Sequence, residues 1–134
     1  PRPTDPARPT GLLYTTYSVI MNARRRLACL SAANVDFGAP FQAPRPPSDR
    51  WRLDGRLDAD QQLGNLYYFG GSNLYDRGHL TRRDDVAWGG TDDQAEAGNI
   101  DSFHYPNAAP QHRDFNQSDA FTNKNLQLWG DLES

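Results

Sequence analysis

The sequence predicts a single α+β domain, on three observations. Residues 12–37 contain two runs with the composition of β-strands, LLYTTYSVIM and RLACLSAANVDF, and the first is rich in β-branched and aromatic residues. Residues 92–98 and 119–133 carry helix signals. A chain of 134 residues can bury a core without disulfides, and its one cysteine, Cys29, excludes an internal disulfide.

Each predicted element follows from a local signal. The segment NARRR separates the two strand-like runs and is expected to form a hairpin turn. Asp92 or Asp93 suits the start of the first helix. In the second helix Leu126, Trp129 and Leu132 recur every three residues, roughly on one face.

Proline and glycine suggest the domain organisation. Residues 1–11 hold four prolines and are expected to form an extended arm, and residues 12–134 form one domain. Residues 38–75 are expected to be mostly loop, with one short element near Trp51. Because the chain stops one residue after Glu133, we expect a domain that is truncated at its C-terminus or is a module of a larger protein.

The charge pattern gives two opposite indications. A net charge of −3 argues against a general nucleic-acid binder, which is usually basic. Yet 13 of the 14 basic residues are arginines, either from codon bias or because the guanidinium group binds phosphate in a bidentate manner. Clusters at residues 24–26 and at Arg77, Arg82 and Arg83 around His79 favour the second explanation. No apolar run is long enough to span a membrane, so no membrane partner is expected.

The segment DRGH, residues 76–79, contains the first candidate for catalysis. The positive charge of Arg77 favours the neutral form of His79, which is the form that a general base needs. Gly78 would let the backbone turn tightly beside a ligand. The alternative is that His79 is an ordinary surface or core histidine.

Residues 104–117 contain six amide or imidazole side chains, more than ordinary packing requires. An asparagine at a helix start, backed by a carboxylate, suits Mg²⁺, which needs only one or two protein ligands. The alternative makes Asn107 and Asn116 turn or cap residues. Glu133 lies in the predicted second helix, where it is either a group near the metal or a solvated side chain.

Taken in order, these segments resemble the DNA/RNA non-specific endonuclease family, the ββα-metal nucleases related to Serratia nuclease and mitochondrial endonuclease G. The resemblance runs from about residue 14 to the end. It rests on DRGH (76–79), FHYPNAAPQ (103–111), FNQ (115–117) and WGDLE (129–133), and more weakly on MNARRRLACLSAANVD (21–36) and RWRLDGRL (50–57). It implies a ββα-metal (His-Me finger) nuclease fold, an antiparallel sheet with a metal-bearing helix.

The resemblance also implies a role for individual residues. His79 falls on the general base that activates water, and Asn116 on the direct protein ligand of the metal. Glu133 falls on the acid that orients water at the metal. Arg77 and Asn107 fall on positions that support the phosphate and the active-site network.

The reaction implied by the resemblance is hydrolysis of phosphodiester bonds in DNA and RNA, with Mg²⁺ as cofactor, Mn²⁺ as its substitute and 5′-phosphate products. The family also has a substrate-binding arginine near the Trp51 segment. Arg50, Arg52 and Arg56 compete for that position, and Arg50 and Arg52 are preferred because they flank Trp51. The predicted substrate-binding residues are Arg50, Arg52, Arg82 and Arg83.

Two departures from the family pattern affect these assignments. Pro106 stands where many relatives have threonine or serine, so we expect an edge or bent strand there, with Asn107 still pointing into the site. About eleven residues separate Gln117 from Trp129, which is longer than in the Serratia type and makes an inserted loop before Glu133 an expectation.

Two other functions remain open. One is a catalytically weak or inactive nuclease fold that binds nucleic acid or protein. The other is a metal hydrolase of the HNH type, in which His79, His104 and His112 would form a three-histidine zinc site. The sequence leaves open a homodimer or a larger effector assembly, and it slightly favours an intracellular effector module over a secreted enzyme.

Overall fold

The computed structural model of the protein describes residues 11–46, 50–69 and 74–116. Its strands are Gly11–Leu13 (β1), Tyr17–Asn22 (β2), Leu27–Ala33 (β3), Phe41–Gln42 (β4), Tyr75–His79 (β5), Trp88–Gly89 (β6) and Ala108–His112 (β7). Its α-helices are Asn65–Tyr68 (α1), Arg83–Val86 (α2), Asp92–Ser102 (α3) and Arg113–Asn116 (α4). Two 3₁₀ turns cover Ala59–Gln61 and Tyr105–Asn107.

Strands β1, β2 and β3 form an antiparallel sheet in that order. Alternate side chains of β2 point inward, since successive residues of a strand face opposite sides. The main hydrophobic core therefore combines three residues of β2 with one residue each of β1 and α2, namely Tyr17, Val19, Met21, Leu12 and Val86.

The first strand-like run forms two strands, whereas the sequence predicted one. The chain reverses through residues 14–16, where the backbone N–H of Tyr14 donates to the carbonyl of Tyr17 at 2.9 Å. The hydroxyl and backbone N–H of Thr15 both donate to the carboxylate of Asp101, at 2.8 and 2.9 Å. This partner is distant in sequence, so a local pattern of strand-forming residues could not reveal the turn.

The hairpin predicted at NARRR is confirmed. Asn22 accepts a hydrogen bond from the backbone of Arg25 through its side-chain oxygen, at 3.0 Å. Arg26 closes the turn in the left-handed region, with φ of 61°. The turn therefore uses an asparagine for its side-chain contact, as is common in turns.

Helix α3 confirms the predicted helix and extends it to Ser102. It begins at Asp92, and Thr91 caps it by accepting the backbone N–H of Gln94 at 3.3 Å. The helix continues beyond Gly98, because the missing side chain of this glycine lets α3 pack closely against Val86 of α2. A Cβ at that position would lie 2.1 Å from the carbonyl oxygen of Val86.

Two further antiparallel pairs join β4 to β6 and β5 to β7. In the second pair His79 lies opposite Ala108, and Asp76 lies opposite Gln111.

The expected edge or bent strand at Pro106 is wrong, because Pro106 lies in the 3₁₀ turn before β7. Proline suits that position, since the first residues of a helical turn have no use for the missing N–H.

The described part of residues 38–75 is mostly loop, as predicted, and the short element near Trp51 is a bridge between Arg52 and His104. The prediction of a single element is wrong, because β4, the turn Ala59–Gln61 and α1 also lie in this range. The buried side chain of Gln62 closes the loop. Its amide nitrogen donates to the carbonyl of Asp54, and its amide oxygen accepts the Asp54 N–H, both at 2.9 Å.

The buried carboxylate of Asp54 ties this loop to the three-stranded sheet. It accepts the hydroxyl proton of Tyr14 at 2.7 Å and pairs with Arg56 at 2.6 Å. Burial by itself raises the pKa of Asp54, but the hydrogen bonds from Arg56 and Tyr14 outweigh burial and lower this pKa to about 2.

The predicted second helix, 119–133, lies outside the described residues, and the predicted arm, 1–11, is described only at Gly11. Within the described ranges, no helix has both the length and the apolar character needed to cross a bilayer.

We predict that Asp54 makes stability dependent on pH below about pH 4. Its pKa in the folded protein is below the ordinary value of 3.8, so its stabilisation is complete above that value and is lost as the pH falls toward 2. The loss should reach about 1–2 kcal/mol, after allowance for the exposed part of Arg56. Urea unfolding of the parent and of Asp54→Asn at pH 5 and pH 3 measures this loss of unfolding free energy. An equal pH dependence of stability in both proteins would contradict the prediction.

Candidate active site

The DRGH segment forms most of β5 and presents its side chains on two faces. Because alternate residues of a strand share a face, Arg77 and His79 point one way and Asp76 and Gly78 the other. His79 is only 4% exposed. Its ring lies 4.7 Å from the Trp51 ring and 5.3 Å from the Phe103 ring, measured between centroids, so aromatic neighbours fix the orientation of the imidazole.

Arg77 is positioned by rings and an amide. Its guanidinium lies 4.8 Å from the centroid of Phe69 and 5.8 Å from that of Trp51. It also donates a long hydrogen bond to the side-chain oxygen of Asn65, at 3.5 Å. These are neutral partners, so they hold the guanidinium in place without cancelling the charge that a phosphate would meet.

Gly78 is required for a reason different from the predicted tight turn. It lies within β5, and a Cβ there would come within 2.0 Å of the Gln111 side chain. The Gln111 amide occupies this space and donates to the carbonyl of His79 at 3.4 Å. The glycine thus lets Gln111 cross the strand next to the candidate base.

Asn107 is fully buried and does not point into the site as expected. Its amide nitrogen donates to the carbonyls of Thr81 and Ser102 at 2.9 and 3.0 Å, and its amide oxygen accepts the Thr81 N–H at 2.9 Å. Its own carbonyl accepts the N–H of Leu80 at 2.9 Å. Asn107 therefore fixes the backbone that follows His79, which makes it a positioning residue in this structure.

Asn116 contacts β5 through Asp76. The chain enters α4 directly after β7, and the Asn116 amide nitrogen donates to the Asp76 carboxylate at 3.3 Å. Asp76 and His79 are three residues apart and so face opposite sides of β5. The structure thus joins Asn116 to Asp76, on the strand that also carries His79.

The arginines near Trp51 divide by their partners. Arg56 is held by the carboxylate of Asp54, and Arg52 donates to the carbonyl of Ile100 at 2.8 Å. Arg50 and Arg52 line an open cleft of about 1010 Å³ beside Trp51 and Arg77. This agrees with the preference for Arg50 and Arg52 over Arg56, and a substrate contact at either of them stays a prediction.

Arg83 lies away from this cleft. It donates to the carbonyl of Ala43 at 2.8 Å and forms an ion pair with Asp84. Arg82 is half-buried at the start of α2. A substrate contact at either arginine stays a prediction, and the structure already gives Arg83 partners within the fold.

The three-histidine zinc site is wrong. No group of three or more His, Cys, Asp or Glu side chains within residues 11–46, 50–69 and 74–116 could hold a metal ion. His79 and His112 lie at opposite ends of the β5–β7 pair, and His104 packs against the Tyr14 ring with 5.1 Å between centroids. Glu133 lies outside the described residues, so its role stays a prediction.

Comparison with known proteins identifies the family of the chain. Residues 3–134 match the model of the DNA/RNA non-specific endonuclease family. The chain belongs to this family. A protein of Sinorhizobium fredii (strain NBRC 101917 / NGR234), described as uncharacterized protein y4fB, is 35% identical over 141 aligned residues. That alignment covers 97% of the chain, and the chain spans about 20% of the length of this relative.

Membership in the DNA/RNA non-specific endonuclease family confirms the predicted resemblance and points to nuclease chemistry. The family implies the ββα-metal fold, and the described residues combine helices with antiparallel sheet as predicted. The metal-bearing helix stays a prediction beyond α4, which ends with the last described residue.

Sequence reasoning missed two parts of the site. Asp76 belongs to DRGH and is the partner of Asn116, but no local signal marks a carboxylate as the partner of an amide forty residues away. The cleft aromatics Tyr67 and Phe69 were also missed. The alternation of arginine with aromatic residues in RWR (50–52), followed by LYYF (66–69), was the available signal.

We predict that Asn107→Ala lowers the free energy of unfolding by about 2–4 kcal/mol, because it leaves one N–H and two carbonyls without their buried partner. Urea unfolding measures this change. Asn34→Ala, which removes an exposed asparagine side chain, is the control and should stay within about 0.5 kcal/mol of the parent. A loss at Asn107 no larger than that of the control would contradict the positioning role.

Proposed function

We propose that this chain is a metal-dependent endonuclease that hydrolyses phosphodiester bonds of DNA and RNA, with Mg²⁺ as its cofactor and Mn²⁺ as a substitute. The observation that carries the proposal is the environment of His79. It is a buried imidazole fixed by two aromatic rings, on the same strand face as the cationic Arg77. This strand pairs with β7, which leads directly into α4.

His79 is proposed as the general base. Its imidazole takes a proton from a water molecule while the water oxygen attacks phosphorus. The bond from phosphorus to the 3′ oxygen then breaks, and that oxygen takes a proton from solvent and leaves as a 3′ hydroxyl, so the phosphate stays on the 5′ end. Arg77 points the same way as His79 and is suited to bind the phosphate oxygens.

Asn116 is proposed as the metal ligand. Its amide nitrogen faces Asp76, which leaves the amide oxygen as the end available to a cation. Amide oxygens are donors that hard divalent cations prefer, so this ligand suits Mg²⁺ or Mn²⁺ better than zinc. A cation held there would supply positive charge to stabilise the negative charge that develops on the phosphate oxygens.

Cleavage without sequence preference follows from the contacts available. Arginine contacts to phosphate fix the polymer in place but carry no sequence information. Arg50, Arg52 and Arg77 lie together on the cleft, which gives the site a local positive charge on a chain of net charge −3.

We predict that His79→Ala lowers the rate of cleavage by about 10²–10⁴-fold, the usual contribution of a general base, with substrate affinity nearly unchanged. The assay follows supercoiled plasmid and total RNA with Mg²⁺ or with EDTA. His104→Gln is the matched control, because His104 packs against Tyr14 outside the site. Cleavage by His79→Ala at the parental rate would refute the assignment, and a parent that binds but never cuts would favour the inactive binding module.

We also predict that Asn116→Ala weakens Mg²⁺ binding at least about tenfold, because it removes the proposed ligand oxygen. Titration calorimetry with Mg²⁺ alone provides a measurement independent of activity, and the Mg²⁺ dependence of the cleavage rate provides a second. Asn116→Asp, which keeps an oxygen in that place, should retain Mg²⁺ binding. Parental Mg²⁺ affinity in Asn116→Ala would show that the metal is held elsewhere.

A further inference from the structure

The open cleft beside His79 has an unusual lining. Its walls are formed by the loop of residues 50–69 together with Arg26, Arg77 and Tyr105. Trp51 lines the cleft and also touches the His79 ring, with 4.7 Å between centroids. Whatever occupies the cleft therefore lies next to the proposed point of cleavage.

The charge of the cleft is of one sign. Four arginines line it, Arg26, Arg50, Arg52 and Arg77, and none of the described lining residues is acidic. Because the chain as a whole carries a net charge of −3, this concentration of positive charge is local. It is complementary to a polyanion.

The cleft also exposes aromatic rings, which a polyanion alone does not need. Phe69 is 66% exposed and Tyr67 is 44% exposed. The Arg77 guanidinium lies 4.8 Å from the Phe69 centroid, so a cation and a flat apolar surface are adjacent. Large exposed rings in a cleft suggest a ligand that is itself flat and apolar on its faces.

The rings rest on a fixed layer. Tyr105 lies parallel to Tyr68, with 6.0 Å between centroids, and 5.9 Å from the Trp51 ring. The Tyr105 hydroxyl donates to the Asn65 side chain at 2.8 Å, which anchors α1, the helix that precedes Phe69. The exposed ring of Tyr67 meets this layer edge-on at Tyr68, with 5.2 Å between centroids, and Phe69 directly follows α1.

We propose that this cleft binds the unpaired bases of single-stranded nucleic acid, which stack on Phe69 and Tyr67 while the arginines hold the adjacent phosphates. Bases within a duplex are stacked on each other and offer no free face, whereas bases of a single strand stack readily on aromatic side chains. The cleft would thus give the proposed nuclease a preference for single strands. This inference rests on the proposed nuclease function only in taking the bound polymer to be nucleic acid.

The test measures binding in EDTA, so that no cleavage occurs. Fluorescence anisotropy compares a short single-stranded DNA, the corresponding RNA, a duplex of the same length and a single strand that lacks its bases but keeps its phosphates. We expect Phe69→Ala to weaken binding of both single strands about tenfold, as the loss of one stacked base implies. The affinity for the duplex and for the abasic strand should change far less, because the variant keeps the charge of Arg77, which Phe69 contacts.

Two further variants make the result specific. Phe37→Ala removes a ring that is 83% exposed and lies outside the cleft lining, so it should bind all four probes as the parent does. Phe69→Trp keeps a stacking surface and should restore single-strand affinity.

Equal loss of affinity for all four probes in Phe69→Ala would overturn stacking in favour of charge alone. If Phe69→Ala binds all four probes as tightly as the parent does, the proposal is also overturned. A protein partner would then be the alternative ligand of the aromatic surface. The proposed nuclease function is tested separately from base stacking. If Phe69→Ala weakens single-strand binding but the parent does not cleave in Mg²⁺, the nuclease function is refuted and the base-binding cleft stands. If the parent cleaves but Phe69→Ala binds single strands as the parent does, the base-binding cleft is refuted and the nuclease function stands.

Discussion

Strands β5 and β7 pair residue by residue from Tyr75 opposite His112 to His79 opposite Ala108, and the site depends on this register. A shift of one residue would move every side chain of β5 to the other face. His79 would then leave the aromatic rings, and Gly78 would no longer lie under Gln111. The Asn107 amide reinforces the register at one end, because it binds the backbone that follows His79.

The arginine excess has two separate uses in this fold. Arg56 and Arg83 bind carboxylates and backbone carbonyls and serve the structure. Arg77 is held instead by Phe69 and Trp51, whose rings attract a cation without neutralising it. The composition suggested either codon bias or phosphate binding, but the difference between the two groups lies in the partner of each guanidinium.

The polar segment that precedes α4 shows a similar division. Its density of amides and imidazoles suggested a metal site, yet Asn107 and Gln111 use their amides to hold the backbone around His79. The buried amide of Asn107 in particular fixes a single arrangement, because a partner lost inside the protein leaves a polar group that water cannot reach. Asn116 differs, since from the last described residue of α4 it meets the half-buried carboxylate of Asp76.

The sequence by itself determined the strand-like runs, the hairpin at residues 22–26, the helix that starts at Asp92 and the family, because turn residues, caps and short motifs act over a few positions. It could not show that the first run reverses at Thr15, since the stabilising partner, Asp101, is distant in the chain. Only the tertiary structure decided that Asn107 is a buried anchor and that Trp51 and Phe69 form a cationic, aromatic cleft beside His79. Burial and facing direction depend on which distant segments pack together, and no local pattern encodes that.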